Sequence, residues 1–290
     1  MNSLVVGGVP EHFNLPWHLA NATGSFHRTG TDLDWRDQHS GTGQMMTALE
    51  AGDLDIAIAL TDGTIKAIAE GNPSRIVRLY TTSPLQWGVH TAADGNIDDR
   101  SQITAEHRFA ISRFGSGSNL MAYVLARRLG ITLDPVESFV EVGTLEGARE
   151  SLLAGESQVF LWDRFMTSPI VDAGDFAFAD VQPTPWPSFT IAVRNDVLDT
   201  RGDEVRAVLD VAAAWAKTFE ALPITEAASA VAKHYHLDNA IAADWFSVTN
   251  WAGGEAIDPL VVDDALAALV DLGVVDAAVP IDQLIADIPA

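Results

Sequence analysis

The sequence predicts an α/β protein of two similar lobes joined by two crossover hinge strands, and three observations carry that expectation. Short apolar runs alternate with amphipathic segments along the first two thirds of the chain. A turn, helix and strand pattern beginning at Gly41 returns at Gly143. Two extended stretches, residues 79–92 and 181–193, fall where a chain would pass between lobes, and the second contains Pro183, Pro185 and Pro187.

Residues 4–9 are a continuous apolar run closed by Pro10, the pattern of a strand covered on both faces. A helix is expected from residues 11–20, with Pro16 tolerated in its first turns. Gly41-Thr42-Gly43 opens a helix to Ala51, Gly52 supplies a left-handed cap, and the run at 56–60 is the next buried strand. Thr61-Asp62-Gly63 ends that strand, and the pattern predicts a helix over 64–70 and a strand over 76–80. In the second half, a strand over 109–113 enters the turn from Phe114 to Asn119, and a helix follows over 120–129, capped by Gly130. Beyond residue 203 the chain reads as helices over 203–222, 225–234, 239–248 and 258–272, with a short piece from 282. These would pack back over the first lobe.

The repeat organises the rest. Gly41-Thr42 leads through a helix, Gly52-Asp53 and a buried strand to Asp62, while Gly143-Thr144 leads through a helix, Gly155-Glu156 and a buried strand to Asp163. The lobes are therefore expected at residues 1–84 with 187–290, and at 85–186.

Of the 290 residues, 48% are hydrophobic and 20% charged, enough apolar surface for a sizeable core and too much for a disordered chain. Seventeen Lys and Arg against 40 Asp and Glu give a net charge of −23, a field that repels phosphate backbones and anionic lipid. Nucleic acid and membrane partners are disfavoured. Zero cysteines remove disulfides, thiolate nucleophiles and cysteine metal sites. The N-terminal residues lack a basic region followed by an apolar stretch, so they do not read as a secretory signal. The expected location is cytoplasmic, or periplasmic or extracellular only if a leader was removed. No apolar run reaches the roughly 18 residues of a membrane span.

Taken with the segment 41–59 and the paired crossovers, this pattern resembles the type 2 periplasmic-binding-protein fold, in particular the nitrate, sulfonate and taurine solute-binding proteins of ABC transporters. The opening Gly7-Gly8-Val9-Pro10-Glu11-His12-Phe13-Asn14-Leu15-Pro16-Trp17 is similar to an intracellular bacterial and fungal branch of that superfamily. The resemblance implies a monomer that closes two lobes over a small-molecule ligand and is served by an ABC permease. Exported members carry a leader or a lipobox cysteine, and neither is expected here from the N-terminal residues. The related thiamine-pyrimidine synthase uses a cysteine-rich motif, which a cysteine-free chain excludes.

Ligands of open α/β sheets gather outside the carboxyl ends of strands, so the turns there nominate the site. The first lobe contributes Pro10, Glu11, His12, Phe13 and Asn14, then Thr42 and Gly43, Thr61 and Asp62, and Ser83. From the second come Ser116, Gly117, Ser118, Asn119 and Asp163. Small hydroxyl residues and glycines let backbone donors approach an oxyanion, and the Gly115-to-Ser118 turn is the best such cradle. Ser116 also suits a plain helix cap. Glu11, Asp62 and Asp163 stand against a purely anionic ligand and suit an amine, amidine or ring N–H, although Asp62 also suits a cap for the helix from Thr64 and Asp163 an ion pair with Arg164 or Arg113. Trp87 and Trp186, on the crossovers, are positioned to sandwich a planar ring. No metal or cofactor is expected, since His234 and His236 are badly spaced for one helix face. His12 suits a general base equally well as a hydrogen-bonding group, so an enzyme on the same fold, or a ligand sensor, remains the rival to a solute-binding protein.

Overall fold

The computed structural model describes residues 3–288. The chain divides into two compact units, one holding residues up to Pro84 and from Trp186 onward, the other Leu85–Pro185.

In the first unit the order is β1 (Leu4–Gly8), α1 (Leu15–Ala22), β2 (Leu33–Asp37), α2 (Thr42–Ala51), β3 (Ile56–Leu60), α3 (Thr61–Ala69) and β4 (Ser74–Leu79). The second unit runs β5 (Gln86–Ala92), β6 (Phe109–Ile111), α4 (Gly117–Leu129), β7 (Phe139–Glu141), α5 (Leu145–Leu153), β8 (Val159–Asp163), α6 (Ser168–Asp172) and β9 (Phe176–Pro183). The chain then returns to the first unit as β10 (Phe189–Arg194) and the helices α7 (Asn195–Glu220), α8 (Ile224–Tyr235), α9 (Asn239–Val248), α10 (Pro259–Asp271) and α11 (Ile281–Leu284).

Each unit is built on one five-stranded sheet, ordered β2-β1-β3-β10-β4 in the first and β7-β6-β8-β5-β9 in the second. The two orders are the same: three parallel strands, then a strand arriving from the other unit that runs antiparallel, then an edge. β3 and β8, the strands of the sequence repeat, are both central. Their residues are apolar in a continuous run because helices cover both faces. Met45, Met46, Leu49 and Leu54 pack on Ala57 and Ala59 in the first unit, and Ala148 and Leu152 on Ala110 and Phe160 in the second. Burying Leu49 completely contributes about 2 kcal/mol.

The helices stop where glycine permits a left-handed turn: Gly52 at φ 79°, Gly130 at φ 68° and Gly155 at φ 69°. Several boundaries differ from the sequence expectation. α3 begins at Thr61 rather than residue 64, with Leu60 as its cap, so Asp62 lies in the first turn and is not the cap. The helix from Leu120 begins instead at Gly117, and a 3-10 turn over His12–Asn14 precedes α1. β2 is an additional strand. The two connections between the units are hydrogen-bonded to each other, through Ser188 N to Ser83 O in the first and Thr184 N to Leu85 O in the second. Among the described residues, no helix is long and apolar enough to cross a membrane.

Candidate ligand site

The carboxyl ends of the parallel strands in the second unit bring together a turn, a helix N-terminus and two crossing strands. β8 ends at Asp163, and its antiparallel neighbour β5 places Trp87 directly opposite. Directly opposed residues share a face, so the indole and the carboxyl lie side by side. β6 runs into the turn that opens α4, and a Cβ placed on Gly117 would lie 3.0 Å from the Trp87 ring. Gly117 therefore lets the indole reach the helix N-terminus, where the backbone N–H groups of the first turn lack helical acceptors.

The hydroxyls of this turn have structural work. Ser116 is the cap of α4, its Oγ accepting from the Asn119 amide at 3.4 Å. Ser118 Oγ accepts from the Ser112 amide at 2.9 Å and lies 3.1 Å from Ser116 Oγ. The Ser116 cap and the expected cradle are thus the same residues, and the Asn119 N–H is taken by the cap. Asn119 Oδ1 accepts from the Gly115 amide at 3.0 Å.

Three polar atoms here are buried without a hydrogen-bond partner: Trp87 Nε1, Asn119 Nδ2 and Asp163 Oδ2. Asp163 Oδ1, by contrast, accepts from the amides of Phe165 and Met166, both at 3.0 Å. Burial pushes the Asp163 carboxyl up to about 6, against the pull of those amides and a weaker pull from Arg164. The carboxyl is held by backbone amides and not by an ion pair with Arg113.

The first unit repeats the motif. Asp62, at the end of β3, is also buried and pushed up to about 6, and hydrogen bonds from its own backbone and the Trp186 side chain pull the other way. An indole and a carboxyl thus stand at the end of the central strand in each unit, though only in the second is the indole N–H unpartnered. Thr61 Oγ1 beside Asp62 is buried without a partner. Thr42 Oγ1 accepts from the Leu60 amide at 3.0 Å, tying the start of α2 to the end of β3, and Gly43 follows it in the same helical turn. Gly63 makes that tie possible, since a Cβ there would fall 2.6 Å from Thr42 Cγ2. Ser83 Oγ accepts from the Asn250 amide at 3.1 Å.

The segment after β1 is built differently from expectation. Pro10 and Glu11 are partly exposed, but His12, Phe13 and Asn14 are buried. The His12 ring stacks on Phe13 at 4.8 Å and meets Trp245 edge-on at 4.4 Å, while Phe13 packs on Phe189 at 4.7 Å. Burial lowers His12 to about 3, so it is neutral and enclosed by aromatic rings, which does not suit a general base exchanging protons with solvent. Asn14 Nδ2 donates to Val9 O at 2.8 Å, and its Oδ1 is unpartnered. Sequence reasoning overlooked Gln38, whose buried Oε1 also lacks a partner. It follows β2, and the alternation of Leu33 and Trp35 between charged residues was the available signal. Among the described residues, no three His, Asp or Glu are placed to hold a metal ion.

These sheets, with their shared order and interlinked connections, define the periplasmic-binding-protein fold. A family model described as Ca3427-like PBP matches residues 87–178, which lie in the second unit. The Candida albicans CA3427 gene product, described as defining a family with the generic periplasmic binding protein fold, is 23% identical at a TM-score of 0.90, with 100% of this chain and 98% of that chain covered. The aliphatic sulphonate binding protein SsuA of Escherichia coli is 15% identical, with a TM-score of 0.76 over 100% of this chain and 93% of that one. The nitrate-binding protein NrtA of Synechocystis PCC 6803 is 14% identical, with a TM-score of 0.72 over 97% and 85%. At these identities the likeness is one of fold. No curated protein matches the chain in sequence.

Proposed function

We propose that the chain is a solute-binding protein of the ABC-transporter type, holding one small polar molecule at the strand-end turns of its two units. The observation that carries this reading is the trio of buried, unpartnered polar atoms on Trp87, Asn119 and Asp163. A buried donor or acceptor left unmade costs about 1–3 kcal/mol, and three on the paired ends of β8 and β5 and the first turn of α4 support a site whose partners come from a ligand. The sulphonate- and nitrate-binding proteins that share the fold support the same class of function. The paired connections around residues 80–87 and 181–187 serve as the hinge, ligand contacts with both units favour closure, and an ABC permease is the partner. The corresponding turns of the first unit offer Asp62, Thr61 and Trp186, with Thr42 and Ser83 on the same unit.

Native mass spectrometry of gently purified protein tests the proposal. The expected result is one small molecule retained per chain and lost in a Trp87→Phe, Asn119→Ala double variant. A protein that retains nothing, and whose melting temperature no panel of small metabolites raises, refutes it.

A further inference from the structure

We infer that the molecule held by the second unit carries both an acceptor group and a hydrogen-donating amine, amidine or ring N–H, and that Asp163 selects for the donor. The inference rests on the solute-binding reading and names the ligand class for that site. Each of Trp87, Asn119 and Asp163 is more than nine-tenths buried, at 6%, 7% and 7% exposure. Their unpartnered atoms are of opposite kinds. Trp87 Nε1 and Asn119 Nδ2 can only donate, so with the first-turn N–H groups of α4 they call for a carboxylate, sulfonate, phosphate or carbonyl oxygen. Asp163 Oδ2 is the exception: as a carboxylate it can only accept, and Oδ1 already holds both nearby amides.

A ligand made only of acceptors cannot satisfy this set. Nitrate or an unsubstituted alkanesulfonate would answer the indole and the amide but leave Asp163 Oδ2 unpaired and facing a like charge. A molecule with an ammonium or N–H group answers all three. The carboxyl is mostly ionised above pH 7, which keeps it an acceptor there. Sites built around a hydrogen-bonding group reject an analogue lacking it far more strongly than an apolar pocket rejects a missing methylene.

Matched pairs test the inference by isothermal titration calorimetry at pH 7.5 on the full chain: 2-aminoethanesulfonate against ethanesulfonate, and 3-aminopropanoate against propanoate. The expected result is binding at least ~10-fold tighter for the amine-bearing member of a pair. In Asp163→Asn that preference falls to within about twofold, the carboxamide oxygen still accepting from Phe165 and Met166. Equal or reversed preference in the unsubstituted chain overturns the inference, and that comparison stands alone if the variant fails to fold. Where neither pair binds, the retained solute decides. One bearing N–H and acceptor groups supports the inference, and one without an N–H overturns it while leaving the solute-binding reading intact. No retained solute and no binding removes both.

Discussion

Replacing Asp163 by Asn removes a carboxylate that folding forces into an apolar setting, and the size of that effect follows from its environment. The folded carboxyl ionises near 6 instead of near its ordinary value of 3.8. The folded chain therefore holds this proton more tightly than the unfolded chain. Its ionisation lowers stability by about 3 kcal/mol at pH 7.5, and by less than about 1 kcal/mol at pH 4, where the folded carboxyl is protonated and the unfolded one only about half ionised. Asn cannot ionise and keeps the Oδ1 acceptor, but its Nδ2 brings an unpaired donor costing about 1–2 kcal/mol. The variant should be more stable than the parent by about 1–2 kcal/mol at pH 7.5 and less stable at pH 4. Urea unfolding followed by tryptophan fluorescence at pH 4, 5, 6 and 7.5 reads the difference directly. A stability difference that stays constant across this range would show that Asp163 is not a strained carboxylate, and the argument for its role would fall with it.

Further outcomes follow from the same physics. An amine-bearing ligand needs ionised Asp163, so its affinity should be flat above pH 7 and about tenfold weaker at pH 5 than at pH 7; titration calorimetry giving tighter binding at pH 5 contradicts this. Buried His90, held near 4 by desolvation and 2.8 Å from Thr167 Oγ1, resists a proton that the unfolded chain accepts near 6.5. Stability from its neutral form is present above pH 6.5 and lost as the pH falls toward 4, so His90→Gln should move the acid-unfolding midpoint to lower pH by circular dichroism, and an unmoved midpoint counts against it. Gly88→Ala would place a Cβ 2.4 Å from His90 Nε2, and the Thr167 contact leaves that ring little freedom. The expected loss is about 1–3 kcal/mol by denaturant unfolding, and a loss below about 0.5 kcal/mol would mean the ring can move.

Much of the fold is legible in the sequence because its signals are local. β1 and β3 are unbroken apolar runs, and α2, α4 and α5 each end at a glycine whose positive φ the sequence implies. β2 escapes because an edge strand paired on one side tolerates Asp34, Arg36 and Asp37, which mask the alternation. The start of α3 lies three residues before the one the pattern predicts because the strand passes into the helix with no turn between them. The repeat and the crossovers point to Asp62, Asp163, Trp87 and Trp186, and the structure buries all four. The enclosure of His12 is not legible in the sequence: the rings around it, Tyr235 and Trp245, come from α8 and α9, and no local pattern announces a contact over that separation. Thr42, Ser83, Ser116 and Ser118 have the right chemistry for an oxyanion; each hydroxyl oxygen accepts a backbone amide, a tie to the scaffold that leaves the O–H as a donor.

The indole N–H of Trp87 gives the most direct test of the account, because it is a buried donor with no partner in its own chain. With the nitrogen-15 indole resonances assigned through Trp87→Phe, titrating the solute recovered from the protein should shift the Trp87 signal downfield, as a new hydrogen bond does, and leave those of Trp17 and Trp245 in place. Saturating solute that leaves the Trp87 signal unmoved would contradict the claim that the strand ends of the second unit hold the ligand.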